Sequence, residues 1–408
     1  MRTRFLADQH GGVAPVFALA LVPMIGLAGA AIDYSRANAA RTAMQAQLDS
    51  AALMVAKDAQ TIQSTQASSI ATNYFNASFN RPEVQSLQVT ASIGSGSNGG
   101  TTVTAQATAF VATTFMHVLG QSTMPLTVHA TVNNANDGLG CVLALNRSAS
   151  GAATAQGSTT VRLNGCSLYD NSNSDSALTS GGSATVQADF VGVVGGIGSS
   201  TGITATNGIR THISPVVDPY ADVPAPTYSG CNAHNYTAKN TETINPGVYC
   251  GGIGVNANAV LTLNPGLYIL DGGSLTVNGG GTVNGNGVTL YFTSSSARDW
   301  ATITINGNAN VNLTPMTTGP TRGLVVFADR NTPQGTSFKF NGGATQYFAG
   351  AIYTPSGAVN FSGGTNATTS CTQVIGDTVT FTGNSNLAID CSQYNTRPFS
   401  SKTMRLSS

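Results

Sequence analysis

From Cys250 onward, apolar residues come in pairs two positions apart, separated by Gly and Asn. The series begins Ile253/Val255, Leu261/Leu263, Leu267/Ile269 and Leu275/Val277, passes through Val288, Leu290 and Phe292, and runs on to Val379/Phe381 and Leu387/Ile389. A period of two predicts strands of only three to five residues. Strands this short bury little as hairpins. They suit a prism in which three strands make one coil and coils stack in parallel. The near-repeat of INPGVY (244–249) as LNPGLY (263–268) fits one corner recurring on successive coils, with Pro fixing φ and Gly taking a conformation other residues avoid. Gly-Asn clusters at 278–287 and 306–310 suit the remaining corners, where Asn tolerates the left-handed region.

The N-terminal pattern is different. Residues 13–32, VAPVFALALVPMIGLAGAAI, carry no charge. As a helix they would span about 30 Å, one hydrocarbon core. The run passes directly into a segment in which Ala37, Ala40, Met44, Leu48, Ala51, Ala52 and Val55 recur at helical spacing, with Arg41, Gln45, Asp49 and Lys57 elsewhere on the wheel. This predicts a transmembrane helix at 13–32 behind a short cytoplasmic tail (1–12), continuing as an extramembrane helix over 33–80. A secretory signal peptide is the competing reading, since Arg2 and Arg4 precede the run and Ala28-Gly29-Ala30 resembles a cleavage site. An h-region of about 7–15 residues is shorter than this run, which favours the anchor.

Two alternating segments, VQSLQVTASI and TTVTAQATAF, flank GSGSNGG and read as a hairpin. FVATTFMHVLG follows as a short helix ending at Gly120, and MPLTVHATV as a third strand. Residues 81–135 thus form a small α+β segment of pilin-like layout. The expected order beyond it is first β-helix coils at 136–213, a Pro-rich excursion at 214–230 serving as plain connection, the main β-helix at 231–395 and a C-terminal tail at 396–408. The fold class is mainly β: one transmembrane helix, a small α+β segment and a right-handed parallel β-helix.

Six cysteines (Cys141, Cys166, Cys231, Cys250, Cys371, Cys391) all lie beyond the first third of the chain, which suggests an oxidising compartment. Six permit 15 pairings. Coil stacking selects the sequential set, because residues one rung apart sit roughly 4.8 Å from each other, inside the roughly 4.4–6.8 Å Cα range of a disulfide. Charge adds an exclusion: 17 basic and 17 acidic residues cancel, only 8% of residues are charged, and no basic run offers a nucleic-acid footprint. The cysteines also orient the anchor, placing the C-terminal part outside the cytoplasm.

Residues 4–57 resemble the N-terminus of TadG-like proteins of the tight-adherence (Tad/Flp) pilus assembly system. The likeness lies in Arg4-Phe5, the Gly before the apolar run, the exit GAAIDYSRA and the helix QLDSAAL. It implies a single-pass protein of the bacterial inner membrane, held through residues 13–32, with its large part in the periplasm or cell exterior and pilus assembly or envelope proteins as partners. Relatives cleaved by prepilin peptidase carry a Glu five residues after the cleavage-site Gly. Val16 and Phe17 stand there, so the resemblance implies an uncleaved anchor.

Longer TadG-like proteins carry a metal-binding D-x-S-x-S. Here GCVLALNRSASG places Asn146 at the Asp position before Ser148 and Ser150, and Asn lacks the charge a hard cation wants. These residues read as a turn. No Cys-x-x-Cys occurs, and His234 near Cys231 is the one His beside a cysteine, so neither metal nor cofactor is expected. Catalysis by a β-helix needs gathered carboxylates. From 141 onward the 11 acidic residues are scattered; Asp299 and Asp329, near Arg298 and Arg330, read as turn salt bridges. The histidines (His10, His117, His129, His212, His234) are dispersed, and no Gly-x-Ser-x-Gly elbow occurs. The expectation is a non-enzymatic envelope protein making structural, assembly or adhesive contacts. The alternative is a carbohydrate-binding or polysaccharide-degrading β-helix with surface polysaccharide as partner.

Overall fold

The computed structural model describes residues 13–59, 62–96, 100–341, 346–362, 365–388 and 391–407. The expected cytoplasmic tail, His10, the hairpin tip at 97–99 and Ile389 lie outside them. The chain divides into two compact units, residues 1–136 with 403–408, and residues 137–402.

In the first unit, helix α1 (Val13–Asp58) runs unbroken through Pro23. Its two halves differ sharply: Val16, Leu19 and Leu27 are 67%, 76% and 73% exposed, whereas Ala40, Met44, Leu48, Ala51, Ala52 and Val55 are fully buried. The buried stripe packs on one face of an antiparallel sheet formed by β1 (Val84–Ser95), β2 (Thr101–Ala112) and β3 (Thr123–Asn136). That face is written by period two, with Val103, Ala105, Ala107, Ala109 and Val111 buried and the residues between them less so. The helix expected over 33–80 is interrupted. After Asp58 the polar stretch TIQSTQ carries no apolar stripe, and α2 (Ala67–Ser78) restarts with Ala67, Ala71 and Phe75 buried. The expected helix before Gly120 shrinks to a 3-10 turn, Met116–Leu119, because its first residues continue β2. The expected C-terminal tail contributes a strand, Lys402–Ser407, beside β3.

The second unit is a parallel solenoid of three-strand coils. One inward column links Tyr268, Leu290, Val326, Ile352, Val374, Val142, Leu168 and Val191, each the register partner of the next. Its order is not that of the chain. The strand Thr365–Phe381 pairs with Gly140–Ala144, so the last full coil lies on the first. The two coil regions expected on either side of the excursion are therefore separated in sequence only. The chain enters mid-stack at 140, builds outward to Thr211, crosses to the opposite end, and builds back from Ala233 to the join.

The excursion is consequently a strap along the flank, not plain connection. The outward column beneath it is apolar: Val248, Ile269, Tyr291, Phe327, Tyr353, Ile375, Leu143 and Tyr169 occupy successive rungs. Both faces of these strands are buried, which explains continuous apolar runs such as LVVFA and GCVLA. Val216, Tyr220 and Val223 of the strap and Phe399 of the C-terminal segment cover the column. Polar clasps fix the strap: Asn171 exchanges two hydrogen bonds with Val216, Tyr353 Oη donates to Asp218, and Arg330 donates to the carbonyls of Tyr220 and Val223. Arg330 also lies over the rings of Phe327 and Tyr353.

The repeated corner follows the same stacking logic. Ile244 pairs with Leu263, Asn264 Nδ2 donates to Asn245 Oδ1, and a Cβ on Gly266 would meet Pro246 at 2.4 Å. In both copies the tyrosine hydroxyl folds back onto the asparagine carbonyl, Tyr249 to Asn245 and Tyr268 to Asn264. Gly266 takes φ 142°, and Asn258 and Asn308 take the left-handed conformation at the other corners.

Replacing Tyr220, which is fully buried and whose hydroxyl reaches Gln373, tests the strap. Tyr220→Ala is expected to cost about 3–5 kcal/mol and Tyr220→Phe about 1 kcal/mol, both measured by non-reducing guanidinium unfolding.

Candidate functional site

All six cysteines are paired as the stacking argument requires: Cys141–Cys166, Cys231–Cys250 and Cys371–Cys391, with Cα separations of 5.7, 5.7 and 4.6 Å. At the ends of a parallel stack a terminal strand is hydrogen-bonded on one side only, whereas at the mid-stack entry and junction the strands have neighbours on both sides. Cys141 lies at the entry at 140, Cys231 where the strap joins the far end, and Cys371–Cys391 at the junction. The remaining exit, after Thr211, is held by a salt bridge from Arg210 to Asp137 at 2.8 Å, with Arg210 over the Phe190 ring.

His234 lies beside the second disulfide, its nitrogen within 4.8 Å of both sulfurs. Thiolates, not disulfide sulfurs, ligate metals. With Cys231 and Cys250 bonded to each other, the cluster serves as a staple.

Asn146 forms the expected turn, its Oδ1 accepting from the backbone N–H of Ser148 and Ala149. Its amide donates to both oxygens of Asp377, which also accepts from Gln334. The turn salt bridges expected at Asp299 and Asp329 are replaced by other partners. Asp329 is buried and accepts from Tyr291 Oη and Thr293 Oγ1 at 2.8 and 2.7 Å, Arg330 is committed to the strap, and Asp299 accepts from the Gly273 N–H. Asp329 thereby anchors the outward column.

Two charged positions were not singled out by sequence pattern. Asp170 is fully buried, accepting from the N–H groups of Ala153 and Ser172 at 2.9 Å each. Burial pushes its carboxyl up to about 6, partly offset by those two bonds. Asp33, immediately after the apolar run, accepts from three consecutive backbone N–H groups: Thr114 at 3.0 Å, and Phe115 and Met116 at 2.8 Å. A charge directly after an apolar run marks the position, but no local pattern points to a partner some 80 residues away.

On the solenoid, a groove of about 580 Å³ is lined by Thr262, Asn264, Asn284, Asn286, Asn312 and Thr314 together with Leu263, Pro265 and Gly285. Thr262, Asn284 and Asn312 are register partners on successive coils, giving uncharged hydrogen-bonding side chains at a roughly 4.8 Å repeat.

Two measurements follow. Replacing Cys231 and Cys250 together by Ala should lower unfolding stability by about 3 kcal/mol, from the loop-closure entropy released to the unfolded chain. For Asp170 the folded pKa lies above the unfolded value, so its stabilising contribution is complete below about pH 4 and is lost as pH rises through about 6. Asp170→Asn should remove a decline on the order of 3 kcal/mol over that window, read as the difference between wild-type and variant stability–pH profiles.

The geometry can be set against known proteins. Residues 11–58 match the Tad family model, described as Flp pilus-assembly TadE/G-like. Comparison with curated proteins and with solved structures returned no significant match. The matched span coincides with α1, Val13–Asp58, the helix that is exposed and apolar in its first half and buried against the sheet in its second. Residues 11–58 are thus similar to the TadE/G-like Flp pilus-assembly family, and that segment carries the chain's family likeness.

Proposed function

We propose that the chain is a single-pass protein of the bacterial inner membrane that serves a Tad/Flp-type pilus assembly system. Its solenoid lies in the periplasm or cell exterior and makes structural, assembly or adhesive contacts. The observation that carries this reading is α1: an apolar half with its large side chains exposed, continuous with a half buried in a folded unit, within a TadE/G-like segment. Water does not favour so large an exposed apolar surface on a monomer, whereas a bilayer does. Three disulfides support the non-cytoplasmic side. The buried carboxylates Asp170, Asp329 and Asp377 already accept two or more hydrogen bonds each, which favours a structural role for them over acid–base work.

The row of Thr and Asn side chains in this groove favours a second reading, in which the solenoid binds a neutral polysaccharide. Amide and hydroxyl groups at a regular repeat suit hydroxyl-rich ligands, and none of the lining residues is charged.

Expressed in a host with a Tad system, the full-length protein should remain in membranes after alkaline carbonate extraction and co-purify with pilus secretion components. Deleting residues 13–32 should release it. Cleavage of any member of a polysaccharide panel would overturn the structural reading. Binding without cleavage, weakened by Asn284→Ala with Asn312→Ala, would favour the second.

A further inference from the structure

At the point where the apolar run of α1 ends, a second apolar element is held against it. Asp33 gathers the backbone N–H groups of Thr114, Phe115 and Met116, fixing the turn between β2 and β3 at the height of the last apolar residues. Arg36 adds a hydrogen bond to Thr114 Oγ1 at 3.0 Å. Phe115 reaches one helical turn back along the run to Gly29, where a Cβ would stand 2.5 Å from the Phe115 Cβ. The turn therefore needs glycine at that position to lie close to the helix.

The turn leaves two of its apolar side chains exposed. Val118 is 85% exposed and Phe115 40%, and Ile32 and Tyr34, which flank Asp33 in the helix, are also exposed. Within the same unit the sheet face against α1 is closed, so apolar residues here are not short of a core to enter. Outside the apolar half of α1, Val118 is the most exposed large apolar side chain described in this unit, and it lies at the end where the membrane-spanning run emerges. Tyr34 stands at that boundary, where amphipathic rings favour the head-group level, and Arg36 stands two residues beyond, within snorkelling reach of lipid phosphates.

We infer that the 113–120 turn is a membrane-contacting loop, inserted into the head-group and upper acyl region of the bilayer and set at that depth by Asp33. This rests on the reading of residues 13–32 as a transmembrane anchor, and it adds a second contact that a single helix does not provide. One helix leaves the folded unit free to swivel about its axis and to tilt, whereas a second point of insertion beside it limits both. The occupant is lipid because the patch is continuous with the lipid-facing part of α1. Asp33 carries the placement, since a carboxylate with three backbone donors satisfies groups that the interface would otherwise leave without partners.

The single tryptophan of the chain, Trp300, makes the test direct. In a Trp300→Phe background, single tryptophans are placed at Val118, at Leu21 in the anchor and at Thr104 on the exposed side of β2. The full-length protein is reconstituted at one copy per nanodisc of phosphatidylcholine and phosphatidylglycerol, with or without phosphatidylcholine brominated on its acyl chains, near the head-group end for Val118→Trp and Thr104→Trp and near the chain end for Leu21→Trp. The inference expects Val118→Trp to be quenched by brominated lipid and protected from acrylamide, as Leu21→Trp is, while Thr104→Trp shows the reverse. Adding Asp33→Ala should cost Val118→Trp most of its quenching and leave Leu21→Trp unchanged. A Val118→Trp that behaves like Thr104→Trp while Leu21→Trp is quenched would overturn the loop and leave the anchor standing. An unquenched Leu21→Trp would overturn the anchor and the loop with it. Undiminished quenching in the Asp33→Ala variant would remove Asp33 as the positioning residue.

Discussion

In-register parallel stacking is the constraint on which the solenoid depends. Each short strand contributes one or two inward side chains, too few to bury a core alone, so stability comes from like side chains lying over each other on successive rungs. The inward column from Tyr268 to Val191 shows this across the whole second unit. The ring stack Phe340, Phe361 and Phe381, with centroids 4.9 and 5.8 Å apart, shows it on a neighbouring face. Because the stack has one direction and one spacing, segments far apart in sequence can share it if their register matches. That permits the last full coil to lie on the first.

This chain order has a mechanical consequence. A solenoid built from one end to the other has two exposed ends and no need of a long connection. Entering at the middle demands a connection that traverses the stack, and the strap uses that traverse to cover an apolar flank. Its aromatic and aliphatic residues supply the burial while Arg330, Asp218 and Asn171 fix its path. Burial raises the Tyr220 hydroxyl to about 12, so it stays protonated in the ordinary range of pH and keeps its bond to Gln373. The disulfides sit where the chain enters, turns back or closes, and a charged pair holds the place they leave open.

Much of this was legible in the sequence because its signals are local. Period two gave the strands, charge-free length gave the long apolar helix, and one-rung spacing gave the disulfide pairs. The seven apolar positions read on α1 from Ala37 to Val55 are all buried. What escaped were the interactions that depend on stack order. Four prolines in 211–230 read as a surface connection, yet Tyr220 and Val223 are buried there, because the partner surface is assembled from rungs drawn from both halves of the solenoid. Asp33 illustrates the same limit in the first unit. Its position after the apolar run is visible, but its partners at 114–116 become neighbours only once the sheet packs on the helix. The corner expected over 278–287 contains the strand Thr282–Gly285, and Asn284 and Asn312 line the groove from strands, a continuous surface that no local pattern announced.

The junction where the chain meets its own beginning carries the account. Thr380 and Thr154 are register partners there, and both point outward, next to Thr179 on the following rung. Adjacent parallel strands place such positions within disulfide reach, and positions two rungs apart do not. Oxidising a Thr154→Cys, Thr380→Cys variant and mapping its peptides by mass spectrometry should therefore find residues 154 and 380 linked, whereas Thr179→Cys with Thr380→Cys should remain unlinked. Free thiols at 154 and 380 under the same oxidation, with the three native disulfides intact, would contradict a single stack closed by its last coil on its first.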